Sequence, residues 1–213
     1  MESPLRPPAD PGFRLIETCL WTPEGGIHRR ARHLARLNAT ADRLGIVPVG
    51  VAAALDAVNG QGALRVRLTV DAEGQAEVTS QPFAPLTGGT VWRVGFAGER
   101  VTARDPWRQV KTTERGIYDR ARATMPEGVE ELLFLNECGE ICEGTITSIF
   151  VETEKGLLTP PLSSGALPGI LRAELLETGQ AREAVLTPPD LQSAKRLHVG
   201  NALRGLIPVT LAT

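Results

Sequence analysis

The chain is 213 residues long, 42% hydrophobic and 23% charged, the make-up of an ordinary globular protein with room for one domain or two small lobes. Its formal charge of −2 comes without any basic block, which removes the electrostatic footprint of a nucleic-acid binder. No apolar run reaches the ~18–20 residues of a membrane span, and the proline-rich stretch from Met1 to Pro11 has no apolar segment of signal-peptide type.

Phe13 to Trp21 reads as a strand, closed by the turn signal Thr22-Pro-Glu-Gly-Gly26. Leu34, Leu37, Ala41 and Leu44 then recur at helical spacing over 29–44, with Gly45 as a stop. An alanine-rich helix is expected over 49–58. A hairpin follows, 63–70 with 75–80 around Asp71-Ala-Glu-Gly74. Gln81 to Gly89, with two prolines and two glycines, marks a linker. Beyond it the pattern predicts a strand over 90–97, a helix over 112–124 and a hairpin of 131–136 with 141–152. A short strand over 157–159 comes next. Pro168 is expected to open a helix running to about Thr178, since proline suits a first helical turn. A strand over 184–187, a short helix from Pro188 and two strands around Leu197 and 206–211 end the chain. Strands and helices mix without regular alternation, so the fold class is α+β, or mixed α/β, and not doubly wound.

Three cysteines, Cys19, Cys138 and Cys142, and three scattered histidines complete no metal pattern. No metal is expected, and the setting is expected to be cytoplasmic. Four segments are able to carry chemistry, each with an ordinary alternative. Arg36, in His33-Leu-Ala-Arg36-Leu37, lies on an amphipathic helix, where arginines are commonly solvated. Lys111 is one of only three lysines, with Lys155 and Lys195. It is an ordinary surface amine unless desolvation or neighbouring arginines lower its pKa and make it a nucleophile. Arg104, Arg108 and Arg115 are near it in sequence. Glu143 lies in a strand, either exposed or buried and paired, since an unpaired buried carboxylate is costly. The Ser/Gly loop before Pro168-Gly-Ile-Leu-Arg172 offers backbone N–H groups and a positive helix end, an anion site in miniature.

Taken in this order, His33-x-x-Arg36-Leu37, Glu143-Gly-Thr, Leu167-Pro-Gly-Ile-Leu-Arg172 and Asn201-Ala-Leu-Arg-Gly-Leu-Ile-Pro-Val209 resemble the fold-type-IV, or class-IV, pyridoxal-phosphate enzymes. That group holds branched-chain and D-amino-acid aminotransferases and 4-amino-4-deoxychorismate lyase. Lys111-Thr-Thr-Glu-Arg115 with Tyr118-Asp119 looks most like the lyase domain found fused to aminodeoxychorismate synthase. The resemblance implies two lobes, a small one over 1–85 and a larger cofactor-binding lobe over 86–213 carrying Lys111 and Glu143. It also implies a homodimer acting on a small molecule.

By the same resemblance, Lys111 carries the pyridoxal 5'-phosphate and later moves a proton. Glu143 faces the pyridine nitrogen and keeps it protonated. Arg36 and the N–H groups of Ile170 and Leu171 hold the phosphate, with Ala202 and Leu203 contributing backbone beside it. Arg65 and Arg67, two apart on one strand face, meet substrate carboxylates or else form an exposed charged face, and His33 is placed beside the substrate. Ser148 departs from the family pattern, which commonly has asparagine there, and the chain ends sooner than many members. Within the group a lyase releasing pyruvate and 4-aminobenzoate is expected, with a transaminase as the alternative.

Overall fold

The computed structural model describes residues 5–212. Contact density divides the chain into two compact units, 5–85 with Val110–Glu114, and Leu86–Gln109 with 115–212.

In the first unit, β1 (Leu15–Thr22), β2 (Gly26–Ile27), β3 (Leu64–Val70) and β4 (Ala76–Pro82) form an antiparallel sheet in the order β2-β1-β3-β4. Strand alternation buries Leu15, Glu17 and Cys19 of β1 opposite Val70, Leu68 and Val66 of β3. Helix α1 (Arg30–Leu44) buries His33, Leu37, Thr40, Ala41 and Leu44, a stripe at helical spacing, and packs on β1. It stops where Gly45 turns left-handed, at φ 67°. Helix α2 (Val51–Asp56) lies along β4. The β3–β4 turn runs through Gly74 at φ 89°, where an added Cβ would stand 2.1 Å from the Val47 carbonyl oxygen; no other residue fits that approach.

The segment bearing Lys111 belongs to this unit by pairing. Leu15 bridges Thr112 antiparallel, the Ile16 N–H donates to the Lys111 carbonyl at 2.9 Å, and the Thr113 N–H donates to the Arg14 carbonyl at 2.9 Å. That pairing corrects the helix expected over 112–124. Residues already bonded to a strand edge have no helical partners, so helix α3 begins only at Gly116 and runs to Ala123.

The second unit is built on eight strands, β5 (Trp92–Phe96), β6 (Glu131–Leu135), β7 (Ile141–Gly144), β8 (Ser148–Thr153), β9 (Gly156–Thr159), β10 (Ala181–Glu183), β11 (Leu197–Asn201) and β12 (Gly205–Leu211). They are ordered β10-β9-β8-β11-β12-β5-β6-β7. Strand β7 therefore ends the sheet, while β8, joined to it by three residues, is third from the other edge. Five strand spacings in a flat sheet would cover ~24 Å, whereas four peptide steps reach ~15 Å. The sheet must curl, and the curl brings Ile141 of β7 and Ile149 of β8 into one core with Val94, Val199, Ile207 and Val209.

The continuous strand expected over 141–152 is thus broken at 145–147. Helix α4 (Ile170–Glu177) covers β8 through Leu171 and Leu175 against Phe150. Pro168 stands two residues before α4 and Gly169 is its N-cap, so the proline does not open the first turn as expected. The strand expected at 184–187 lies earlier, as β10, because residues 181–183 pair in parallel with β9. Helix α5 (Pro188–Ser193) follows Thr187, whose N–H and hydroxyl both donate to Asp190. The observed mixture of helices with one curled and one small antiparallel sheet agrees with the α+β expectation.

Candidate active site

In the second unit the site begins at Glu143, next to last in β7 and 6% exposed. Its Oε1 accepts a hydrogen bond from Arg108 Nη2 at 3.2 Å and another from the Tyr118 hydroxyl. Its Oε2 accepts from the Leu167 N–H at 3.1 Å. Arg108, in a 3₁₀ turn over Pro106–Gln109, is itself buried, donates through Nε to the Gly165 carbonyl at 3.3 Å, and stacks 4.7 Å above the Tyr118 ring. A buried guanidinium thus compensates a buried carboxylate. Burial and the Glu143 charge hold the Tyr118 hydroxyl well above its ordinary pKa, so it remains a donor. Of the arginines near Lys111 in sequence, Arg108 reaches this carboxylate, Arg115 holds a backbone carbonyl nearby and Arg104 is exposed.

Three residues beyond Leu167, α4 begins with no side-chain cap on Gly169 and no acidic residue in its first turn. The N–H groups of a first turn have no acceptors within their helix, and Ile170 and Leu171 are both buried. The backbone comes close here. A Cβ on Gly169 would stand 2.7 Å from Ser148 Oγ, and one on Gly200 would stand 2.8 Å from Leu171 Cδ2. Ser148 and Gly200 are neighbours across the β8–β11 ladder. The turn after β11 is shaped by Asn201, whose Oδ1 accepts from the N–H groups of Leu203 at 3.1 Å and Arg204 at 3.0 Å. The Leu203 N–H is therefore already donated within the turn, beside Ala202, which is buried. A positive helix end lined by glycine at one end of the Leu167–Leu171 segment, and a charge-compensated carboxylate at the other, fit the two ends of a phosphorylated pyridine.

The first unit gathers a second charged group. Glu17 on β1 is 1% exposed and faces α1. Its Oε1 accepts from Arg36 Nε at 2.8 Å, and its Oε2 from Arg36 Nη2 and His33 Nδ1, both at 2.6 Å. Burial pushes the Glu17 carboxyl up, but Arg36 and His33 more than offset this and hold it below its ordinary value. Two of the five Arg36 donors are thus committed to Glu17. His33 is buried with Nε2 lacking a partner among the described residues. Arg65 and Arg67 point out on one exposed face of β3, where Arg65 donates to Gln81 Oε1 at 2.6 Å. Lys111 is half-buried, unlike the exposed Lys155 and Lys195.

Sequence reasoning missed Glu17, noted Arg108 only as one of three arginines near Lys111, and noted Tyr118 only as part of a motif. Their contacts to Glu143 and to α1 span 16 to 35 residues, and no local pattern announces such pairings. The cysteines are accounted for differently. Burial pushes Cys19 and Cys142 up to about 12, and Cys142 Sγ donates to the Ser164 carbonyl at 2.9 Å, so neither thiol is a ready nucleophile or ligand.

Comparison with known proteins places this arrangement among relatives. The profile of the family described as amino-transferase class IV matches residues 14–212. A protein of Schizosaccharomyces pombe, provisionally named an aminodeoxychorismate lyase, is 26% identical over 200 residues, covering 89% of this chain and 86% of its own. The crystal structure of a Mesorhizobium loti protein, provisionally named an amino-acid aminotransferase, is 44% identical with a TM-score of 0.90. It covers 94% of this chain and 100% of that one. The 4-amino-4-deoxychorismate lyase of Pseudomonas aeruginosa shares the fold, with a TM-score of 0.78 at 23% identity over 94% of this chain and 83% of that one. Among the described residues no helix is long and apolar enough to cross a membrane.

Proposed function

This chain belongs to the class IV aminotransferase family of enzymes, and we propose that within it the protein is a pyridoxal-phosphate-dependent lyase that converts 4-amino-4-deoxychorismate to 4-aminobenzoate and pyruvate. The observation that carries this reading is the Tyr118 hydroxyl on Glu143, which sets Tyr118, part of the lyase-like motif, against the carboxylate assigned to the ring nitrogen. Likeness to the S. pombe protein along most of both chains supports it.

When bound, pyridoxal phosphate supplies an electron sink for carbanion chemistry. Glu143 holds a proton on the ring nitrogen, and Arg108 keeps that carboxylate charged and oriented. Ile170 and Leu171 offer N–H groups to the phosphate, Ala202 and Leu203 shape the turn beside it, and Arg36 adds a guanidinium donor. Lys111 provides the amine that carries the cofactor and then takes the proton from the ring carbon bearing nitrogen. Arg65 and Arg67 pair with substrate carboxylates, and His33 orients Arg36 through Glu17 in place of touching the substrate. Breaking the enolpyruvyl C–O bond releases pyruvate and leaves an aromatic ring, so orientation and proton placement are the protein's main tasks. The reading includes a homodimer in a cytoplasmic setting, and light scattering at twice the chain mass would support the first.

A transaminase is the second reading, favoured by the 44% identity to the M. loti protein. The test is release of fluorescent 4-aminobenzoate from enzymatically made aminodeoxychorismate, with Lys111→Ala as control. The lyase reading expects product from the wild type alone. No product from cofactor-loaded wild type, together with conversion to the pyridoxamine form by an amino donor, would give the transaminase first place.

A further inference from the structure

Glu131, the first residue of β6, is 0% exposed and none of the proposed chemistry uses it. A fully buried carboxylate is expensive unless its oxygens are saturated with donors. Here the donors come chiefly from one place, the three residues between β7 and β8. Oε1 accepts from the Thr145 N–H at 2.9 Å and the Thr145 hydroxyl at 2.5 Å, and Oε2 from the Ile146 N–H at 3.2 Å and the Thr147 hydroxyl at 2.8 Å. The adjacent Leu132 N–H adds a fifth bond at 3.0 Å. The turn is closed by the Gly144 N–H on the Thr147 carbonyl at 2.7 Å, and a Cβ on Gly144 would stand 2.7 Å from the Glu131 carboxyl carbon.

Helix α3 grips the same turn from another side. Arg115, the N-cap of α3, lies three residues before Tyr118, and Arg122 four residues after it, so the helix presents Tyr118 and Arg122 on one face with Arg115 at its start. Arg115 Nη2 donates to the Thr145 carbonyl at 3.2 Å, Tyr118 to Glu143, and Arg122 Nη1 to Thr145 Oγ at 2.9 Å. A hydroxyl has one proton, so Thr145 accepts from the Arg122 guanidinium and passes its own hydrogen to Glu131. The buried negative charge is thereby answered by a cation through one hydroxyl. A further bond, from Asn201 Nδ2 to the Ile146 carbonyl at 3.2 Å, ties the β11–β12 turn to this hub.

We propose that Glu131 is a positioning residue for the cofactor site: through Thr145 and Thr147 it fixes the spacing between the Glu143 carboxylate and the Ser148 and Asn201–Leu203 side of the cradle. The curled sheet makes the device necessary. Strands β7 and β8 run in separate parts of the sheet, so no ladder between them holds Glu143 in register with Ser148. The short turn is the link, and Glu131 with Arg115 and Arg122 determines its shape. The inference rests on the pyridoxal-phosphate reading above.

The test is titration of the full-length apo-protein with pyridoxal phosphate, reading its Kd and the pH midpoint of the bound cofactor's visible absorbance. Thr145→Val keeps the side-chain shape but removes the hydroxyl, Thr145→Ser restores it, and Glu131→Gln sets an NH2 group against the donors it must satisfy. Thr145→Val and Glu131→Gln are expected to raise Kd by roughly 10- to 100-fold, the scale of outer-shell partners elsewhere, and to shift the pH midpoint. Thr145→Ser is expected to stay within about threefold of wild type. If Glu131→Gln does not fold, the valine–serine pair decides alone. Wild-type Kd and midpoint in Thr145→Val, whatever its melting temperature, would overturn the positioning role. Failure of every protein to bind, wild type included, would overturn the cofactor reading and this inference with it.

Discussion

Glu17 and Glu143 are both buried carboxylates paired with an arginine, yet they are held in different ways. Around Glu17 the guanidinium of Arg36 engages both oxygens at 2.6–2.8 Å, and His33 adds a third short bond. Around Glu143 the Arg108 Nη2 contact is 3.2 Å, the other donors include a tyrosine hydroxyl and a backbone N–H, and the arginine is shared with a carbonyl and two aromatic rings. A bidentate pair between a helix and a strand locks geometry. A longer contact backed by a tyrosine hydroxyl compensates the charge with a looser hold, the arrangement that the proposed meeting with a ring N–H calls for. The difference teaches that burial and an arginine partner alone do not single out one carboxylate for chemistry, since Glu17 and Glu143 share both and differ in the remaining donors.

Exchanging residues on each side breaks or sharpens that contrast. The largest effect is expected from Glu143→Ala, a loss of turnover on the order of 10²–10⁴-fold read by steady-state kinetics, with a stability loss of about 3–5 kcal/mol from the stranded Arg108 charge read by urea unfolding. Arg108→Met strands the Glu143 charge in the interior and should cost about 3–5 kcal/mol in stability, seen in urea unfolding. If Arg108→Met left stability unchanged, Glu143 would have a different compensating partner and the contrast would weaken. Tyr118→Phe removes one donor and should cost only about 1 kcal/mol, while shifting the pH dependence of the bound cofactor's absorbance.

Glu17 gives the smallest and most specific effect. Its folded-state pKa lies below the ordinary 4.5, so its contribution to stability is fully present above 4.5 and is lost as pH falls through the lowered value. Glu17→Gln should therefore flatten the acid limb of the melting curve below about pH 4.5 relative to wild type. An unchanged acid limb would show that other carboxylates dominate it.

Much of this architecture was legible in the sequence because it rests on local signals. The apolar stripe of α1 ending at Gly45 and the hairpin around Gly74 needed only periodicity and turn chemistry. The four spaced motifs pointed to the family, whose profile then matched residues 14–212. The break at 145–147 was not legible, since Thr-Ile-Thr is β-branched and favours a strand, and it is Glu131, fourteen residues away, that captures the turn. Helix α3 began four residues later than its pattern because Thr112 pairs with β1. Arg108 was marked only by its nearness to Lys111 in sequence, one arginine among three until the fold set it against Glu143.

The central claim is that Lys111 carries pyridoxal phosphate, and it is tested most directly by borohydride reduction of the loaded protein followed by peptide mass mapping. With only Lys111, Lys155 and Lys195 in the chain, the readout is unambiguous. The account predicts one stoichiometric pyridoxyl adduct on Lys111 and none in Lys111→Ala. A stable adduct on Lys155 or Lys195, or none on any lysine of protein saturated with the cofactor, would contradict it.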